Sequence, residues 1–410
     1  MAMIAPRTSR DEIDATPLAA LDVSDPKHFV DGTMHAYFER LRREAPVHYC
    51  KESVFGPYWS ITKYHDIMAV DANHKAFSSE PAITLLDPPS DKVLPMFIAM
   101  DQPKHDEQRK AVSPIVAPGN LANLEGLIRK RVIDIIESLP VNETFNWVER
   151  VSIELTTQML ATLFNFPFED RRLLTHWSDV ATARPVTVEQ WEYRETELGK
   201  CLEYFVRLWN ERVNASPTFD LVSMLAHAPA TRNMPPREYL GNLILLIVGG
   251  NDTTRNSITG GLYFLNQNPC EYDKLRANPG VISNMVSEII RYQTPLAYMR
   301  RLAQTDVVIR GQRIRAGDKV AMWYVSGNRD SDVIPDADRF WIDRPNARQH
   351  LSFGFGIHRC VGNRLGEMQI RILWEEILKR YPTVEVVGEP TRVPSSFVNG
   401  YLTLPVRISR

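Results

Sequence analysis

Phe353-Gly354-Phe355-Gly356-Ile357-His358-Arg359-Cys360-Val361-Gly362 is the stretch that decides the reading of this chain, and a helical period from about Asn363 to Tyr381 follows it directly. A cysteine entering a helix meets the positive end of the helix dipole and amides that have no partner inside the helix. Both favour thiolate over thiol and predict a lowered pKa. The glycines let the backbone fold tightly around the sulfur and aim amides at it, as a metal-bound thiolate requires. The other cysteines, Cys50, Cys201 and Cys270, lie far apart and form no C-x-x-C pair, which argues against a zinc ribbon or a disulfide framework. A lone cysteine is most often a small buried hydrophobe, but Gly, His and Arg neighbours make a poor apolar pocket. A cysteine nucleophile with His358 as its base is the other alternative, yet the loop offers no carboxylate to orient that histidine. One thiolate without a second Cys or His at ligand spacing fits an iron whose remaining positions are already filled. Haem supplies four nitrogens and leaves one axial position for protein.

Upstream, residues 237–268 form a long apolar helix candidate, interrupted by Gly249-Gly250 and continuing as Asn251-Asp252-Thr253-Thr254. Two glycines remove side-chain bulk, so a small ligand can sit against the backbone. A Thr beside an Asp then offers a hydroxyl donor and a carboxylate able to relay protons. The plainer alternative is a Thr that bonds a carbonyl one turn back.

The full F-x-x-G-x-H-R-C-x-G string resembles the cysteine-ligand loop of the cytochrome P450 superfamily, and the resemblance extends over essentially the whole chain. It implies a mainly α fold, a helix-rich prism with a small β-rich region, holding haem b between the long central helix and the loop. Cys360 is then the proximal iron ligand, Thr253 serves the oxygen side and Asp252 delivers protons. Glu288 and Arg291 lie three apart on one helix face and match the superfamily's E-x-x-R, a scaffold for the cysteine loop. Arg339 in Asp338-Arg339-Phe340 is the choice for the downstream arginine that completes it, with Arg344 the alternative. His105 and Arg109 share a helical face after Pro103 and resemble the family's propionate clamp. Arg301 and His358 match two further propionate positions, with Arg300 adjacent to Arg301.

Composition agrees with that class. The 410 residues are 44% hydrophobic and 24% charged, and 48 Lys plus Arg nearly balance 50 Asp plus Glu, for a formal charge of −2. There is no basic excess to suggest nucleic acid and no charged tail. Leu243 to Val248 is too short to span a bilayer. The opening MAMIAPRTSRDEIDATP lacks an apolar signal core, so no membrane anchor and a cytoplasmic location are expected, with residues 1–25 loosely ordered. Helical periods are predicted at 31–45, 63–76, 120–138, 147–165, 169–182 and 190–214, with a hairpin at 46–62 and short strands at 303–322. No internal repeat or linker divides the chain, so residues 1–410 are read as one domain.

Within the superfamily, the strings at 245–256, 322–330 and 350–364 resemble the bacterial hydroxylases that attack the terminal (omega) carbon of medium-chain alkanes and fatty acids. The expected reaction is insertion of one atom of O2 into a C–H bond of a hydrophobic linear small molecule. Candidate pocket residues are Ile83, Leu85 and Leu86 in a loop, Leu245 and Val248 on the long helix, then Leu296, Ala297, Phe397 and Val398. All are apolar, as suits a substrate without hydrogen-bonding groups. The resemblance implies electrons from an iron–sulfur ferredoxin and an FAD-containing ferredoxin reductase. Arg109, Lys110, Arg348, Arg359 and Arg364 are the cations expected near the cysteine side to attract an acidic ferredoxin. The competing readings are a terpene or steroid hydroxylase with the same machinery, a peroxide-driven peroxygenase, which lacks the Asp–Thr pair, and a non-catalytic haem protein, which needs no proton relay.

Overall fold

The computed structural model describes residues 10–409. Its centre is the helix Pro236–Gln267, which starts on a proline whose missing N–H costs nothing in the first turn. This helix runs without a break through Gly249-Gly250, where an interruption was expected. Glycine weakens an isolated helix by about 1 kcal/mol per residue, but packing on Arg172–Thr182, Glu154–Phe164 and Ile282–Gln293 outweighs that cost. Close approach explains Gly241: a Cβ there would lie 1.9 Å from the carbonyl oxygen of Pro95. The crossing loop is pinned at the same point, because the Phe97 amide donates to Asn242 Oδ1 at 2.9 Å.

The expected helices are present at Met34–Glu44, Tyr64–Ala72, Pro118–Glu137, Arg172–Thr182, Val188–Val213 and Asn363–Arg380. The one predicted at 147–165 opens on a π-helical segment, Val148–Ile153, before Glu154–Phe164. Val47–Cys50 and Tyr58–Ile61 form the expected antiparallel hairpin. That hairpin belongs to a five-stranded sheet in the order Val47–Cys50, Tyr58–Ile61, Lys319–Met322, Met299–Ala303, Phe77–Ser78. Tyr58–Ile61 and Lys319–Met322 run parallel, and the other neighbours are antiparallel. Among the described residues three smaller sheets complete the β-rich part.

Residues 10–25, part of the segment expected to be loosely ordered, pack on the body of the protein. Arg10–Ala15 is helical, and Ile13, Leu21 and Val23 are buried in a cluster with Phe38 and Trp323. Apolar side chains spaced among the acids of this segment carry it onto the sheet. Residues 1–9 lie outside the described residues. Among the described residues no helix is long and apolar enough to cross a membrane.

Candidate haem site

The cysteine loop is built by two left-handed glycines, Gly354 at φ 66° and Gly356 at φ 68°. At Gly356 a Cβ would also meet the Asp71 carbonyl oxygen at 2.8 Å. Closing the loop, the Cys360 amide donates to the Phe353 carbonyl at 2.7 Å. Asp71 holds it from outside: its Oδ2 accepts from the Phe355 amide at 2.8 Å and from the Tyr324 hydroxyl at 2.7 Å. Its Oδ1 accepts from Arg301 Nη2 at 2.7 Å. Asp71 is a residue the sequence reading missed. It stands in an ordinary amphipathic helix, and nothing local marks it.

Cys360 lines a cavity of about 790 Å³ that also reaches Gly249, Gly250 and Thr253 of the long helix. Burial pushes the Cys360 thiol pKa up, against the amides of Gly362 and Asn363 and the charges of Arg109 and Arg359. The helix-start amides point the right way, but desolvation of the anion outweighs them. A coordinating metal ion deprotonates such a thiol outright.

The cations cluster as expected. The His105 and His358 rings lie 4.2 Å apart, and both residues line the cavity together with Arg109 and Arg301. Arg300 does not line it; its Nη1 reaches Asp87 Oδ1 at 2.5 Å instead. His105 Nε2 and His358 Nδ1 are buried without a hydrogen-bond partner, a costly state unless something fills it. His358 is driven down to about 2 by burial and by Arg301, His105 and Arg109. Orphaned imidazole nitrogens in so electropositive a place suit the carboxylates of a porphyrin, so these residues fit haem.

On the long helix, Thr253 lines the cavity and its Oγ1 donates to the Gly249 carbonyl at 2.9 Å. Asp252 does not line it. The Asp252 side chain is fully buried, pairs with Arg255 and accepts from Ser178 Oγ at 2.7 Å. Arg255 in turn reaches Asp179 Oδ1 at 2.7 Å, and Arg255 and Asp179 both line the cavity. Burial raises the Asp252 pKa, opposed by Arg255 and by the Ser178 bond.

Glu288 and Arg291 pair at 2.7 Å with both side chains buried. The arginine that completes them is Arg344, whose Nε lies 3.1 Å from Glu288 Oε2. Arg339, the expected partner, points its half-exposed side chain toward Glu271 and offers only its carbonyl, which accepts from Arg291 and Arg344. The sharp turn at Asp336, φ 50°, helps set that orientation. Arg291 Nη1 also donates to the Asn328 carbonyl at 2.6 Å, and Asn328 Oδ1 accepts from the Leu351 amide at 2.7 Å, just ahead of the cysteine loop.

Of the pocket candidates, Ile83, Leu86, Leu245, Val248, Leu296, Phe397 and Val398 line the cavity. Leu85 and Ala297 do not. Both are fully buried in the cluster around Tyr298 and Trp323. Leu86 and Leu296 face the cavity, while Leu85 and Ala297 beside them face the core. The Leu85 amide donates to the Tyr298 hydroxyl at 3.0 Å, which fixes that choice.

A thiolate loop facing a threonine-bearing groove across a cation-rimmed cavity defines a haem-thiolate oxygenase. The profile of the family described as Cytochrome P450 matches residues 123–408, and the chain belongs to that family. Linalool 8-monooxygenase of Pseudomonas putida is 35% identical over 399 residues, covering 94% of this chain and 98% of the relative. The methyl-branched lipid omega-hydroxylase of Mycobacterium tuberculosis (strain H37Rv) is 30% identical, with 98% of each chain covered. Among solved structures, CYP153D17 from Sphingomonas sp. PAMC 26605 is similar at a TM-score of 0.91 and 50% identity, covering 95% of this chain and 99% of that one. Cytochrome P450-153 from Novosphingobium aromaticivorans follows at 0.90 and 45%, with the same coverage. The chain is therefore a monooxygenase with haem b as cofactor, using O2 and electrons from redox partners.

Proposed function

We propose that this enzyme hydroxylates the terminal carbon of medium-length linear alkanes or fatty acids. The observation that carries the reading is the apolar lining contributed by Ile83, Leu245, Val248, Leu296 and Val398 to the cavity that holds Cys360 and Thr253. Such a wall suits a thin chain that brings no hydrogen-bonding group to the reacting end. The mycobacterial relative named as an omega-hydroxylase supports it.

Haem b, when bound, supplies the oxygen activation that places one atom of O2 into a C–H bond. The protein residues surround that chemistry with defined tasks. Cys360 ligates the iron, and His105, Arg109, Arg301 and His358 hold the propionates. Thr253 donates its Oγ1 proton to the Gly249 carbonyl, which fixes its rotamer and leaves the Oγ1 lone pairs to accept in the cavity. Asp252 sits behind that groove as the proton-delivering acid, its pKa raised by burial against the opposing pull of Arg255 and the Ser178 bond. Release of a proton from Asp252 leaves a carboxylate that Arg255 and Ser178 stabilise. Glu288, Arg291 and Arg344 keep the cysteine loop in place. Electrons come from an iron–sulfur ferredoxin whose reductase carries FAD, drawn to exposed Lys110, Arg359 and Arg364.

The test is product analysis with a ferredoxin and its reductase. Mainly terminal alcohols from linear chains support the reading; mainly subterminal products overturn it. Cys360→His should lose the thiolate-type Soret band of the reduced carbon-monoxide complex. The linalool 8-monooxygenase relative favours a second reading, a terpene hydroxylase, which good turnover of a terpene without turnover of linear chains would establish.

A further inference from the structure

We propose that Arg184 and Arg194 form an anion subsite in the same cavity, which receives the carboxylate of a fatty acid whose far end is oxidised; this rests on the linear-chain reading above. An accounting of the cavity's cations points there. His105, Arg109, Arg301 and His358 form the cluster beside Cys360. Arg255 is paired with Asp252 and Asp179, and Lys92 with Asp91 at 3.4 Å. Arg184 and Arg194 remain, and neither meets a carboxylate in an ion pair among the described residues.

Arg184 stands between the helices Arg172–Thr182 and Val188–Val213, with its guanidinium over the Phe55 ring at 4.9 Å. Its Nε is buried with no hydrogen-bond partner. Arg194 lies on the second helix and spends one nitrogen, Nη1, on the carbonyls of Val180 and Ala181, at 2.9 and 2.5 Å. Desolvation pulls its pKa below the ordinary arginine value. Both arginines are half-buried, and a partly desolvated guanidinium with no ion-pair partner is stabilised when an anion arrives. Arginine's planar donor fork suits a carboxylate better than a neutral head group. Phe55, Ala82, Ile83 and Trp191 line the same cavity, offering an apolar path from the two arginines to the interior. An acid held head-first here presents its methyl end to the interior, whereas an alkane leaves both cations unpaired.

The experiment compares binding of a medium-chain fatty acid, its methyl ester and the matching alkane to the haem-loaded enzyme, by the Soret shift on titration. We expect the acid to bind about tenfold or more tighter than the ester, the ordinary worth of a charge-assisted pair. Arg184→Gln should remove most of that preference while leaving ester and alkane binding unchanged, and Arg184→Lys should restore part of it. Arg194→Gln removes a cap from the end of the neighbouring helix, so the carbon-monoxide spectrum and the ester titration serve as its folding controls. Equal affinity for acid and ester in the parent enzyme, or an equal loss of both in Arg184→Gln, overturns the subsite. Terminal oxidation of alkanes with no acid preference overturns the subsite alone, while failure of every linear chain to bind overturns the underlying reading with it.

Discussion

Thr253 Oγ1 donates to the Gly249 carbonyl oxygen at 2.9 Å, one turn back along the long helix, and both residues line the cavity that holds Cys360. Such back-bonding is common for threonine in helices, and here it leaves the Oγ1 lone pairs to accept a proton in the groove. Thr253→Ala should leave binding of an apolar substrate nearly intact, since one hydroxyl and one methyl are lost at the edge of the cavity. It should uncouple turnover: reduced cofactor is still consumed, with hydrogen peroxide released in place of alcohol. Assay of cofactor, peroxide and product together decides. Tight coupling in that variant would remove Thr253 from proton handling.

The two glycines before it differ in what they face. A Cβ on Gly249 meets nothing within 4 Å, whereas a Cβ on Gly250 would sit 2.6 Å from Leu160 Cδ2. Gly250→Ala should therefore overpack the contact with Glu154–Phe164 and cost about 1–3 kcal/mol. Gly249→Ala should fold at least as well, gaining up to about 1 kcal/mol of helix propensity. Its methyl then enters the cavity and weakens substrate binding. Denaturant unfolding and substrate titration on both variants check the split, and a reversed order would contradict it.

Arg344 and Arg339 offer a second contrast. Arg344→Gln leaves the Glu288–Arg291 pair short of one buried cation and frees the carbonyls it binds at Pro335, Asp336 and Arg339. Breaking a buried charge network typically costs about 3–5 kcal/mol. Arg339→Gln loses a half-exposed contact to Glu271 and a position over the Trp341 ring, each worth about 1 kcal/mol or less. Thermal unfolding of the two holoproteins should show a large drop for the first and a small one for the second.

These contrasts show how much was legible in the sequence. The cysteine loop and the Asp252–Thr253 pair were readable because their chemistry is contiguous: glycines, thiolate and helix start stand within ten residues. The long helix was readable by its length and apolar content. Asp71 was not, and Arg344 was readable only as the alternative to Arg339, since each acts on partners brought from distant segments, Asp71 on Arg301 and Phe355, Arg344 on Glu288. Leu85 and Ala297 were assigned to the wrong side for another reason. Apolar residues stand side by side at both places, Leu85 with Leu86 and Leu296 with Ala297, so hydropathy does not say which faces the cavity. The Tyr298 hydroxyl that fixes it arrives from elsewhere.

Acid sensitivity should carry the mark of His350. Burial first, then Arg291, Arg359 and Arg348, hold its pKa down to about 3, and its Nδ1 has no partner. The imidazole is thus neutral when folded and takes up a proton on unfolding below about pH 6.5. Its contribution to stability is complete above that value and is lost as pH falls toward about 3. The loss approaches about 1.4 kcal/mol per pH unit. Urea unfolding of His350→Gln should accordingly show a shallower decline between about pH 6 and pH 4 than the parent. Parallel declines in the two proteins would refute the assignment.

Regiochemistry is the most exposed expectation. A primary C–H bond is stronger than a secondary one, so reactivity alone favours internal carbons of a linear chain. Terminal attack has to be imposed by geometry, through side chains that admit the methyl end and deny the neighbouring methylenes. Each tenfold preference corresponds to about 1.4 kcal/mol of differential placement at the transition state. Leu245 and Val248 stand within a turn of each other on the long helix, and Val398 forms an isolated bridge with Leu296, so these residues narrow the cavity on backbone that cannot easily shift. Leu245→Ala and Val398→Ala should therefore raise the subterminal share several-fold while total turnover falls less. Leu85→Ala, which removes a core side chain outside the cavity, should lower stability by about 2–5 kcal/mol and leave the product ratio unchanged. Gas chromatography of the alcohols from one linear substrate, run on all three variants, separates the two effects. An unchanged ratio in both Leu245→Ala and Val398→Ala would show that some other part of the cavity holds the chain end.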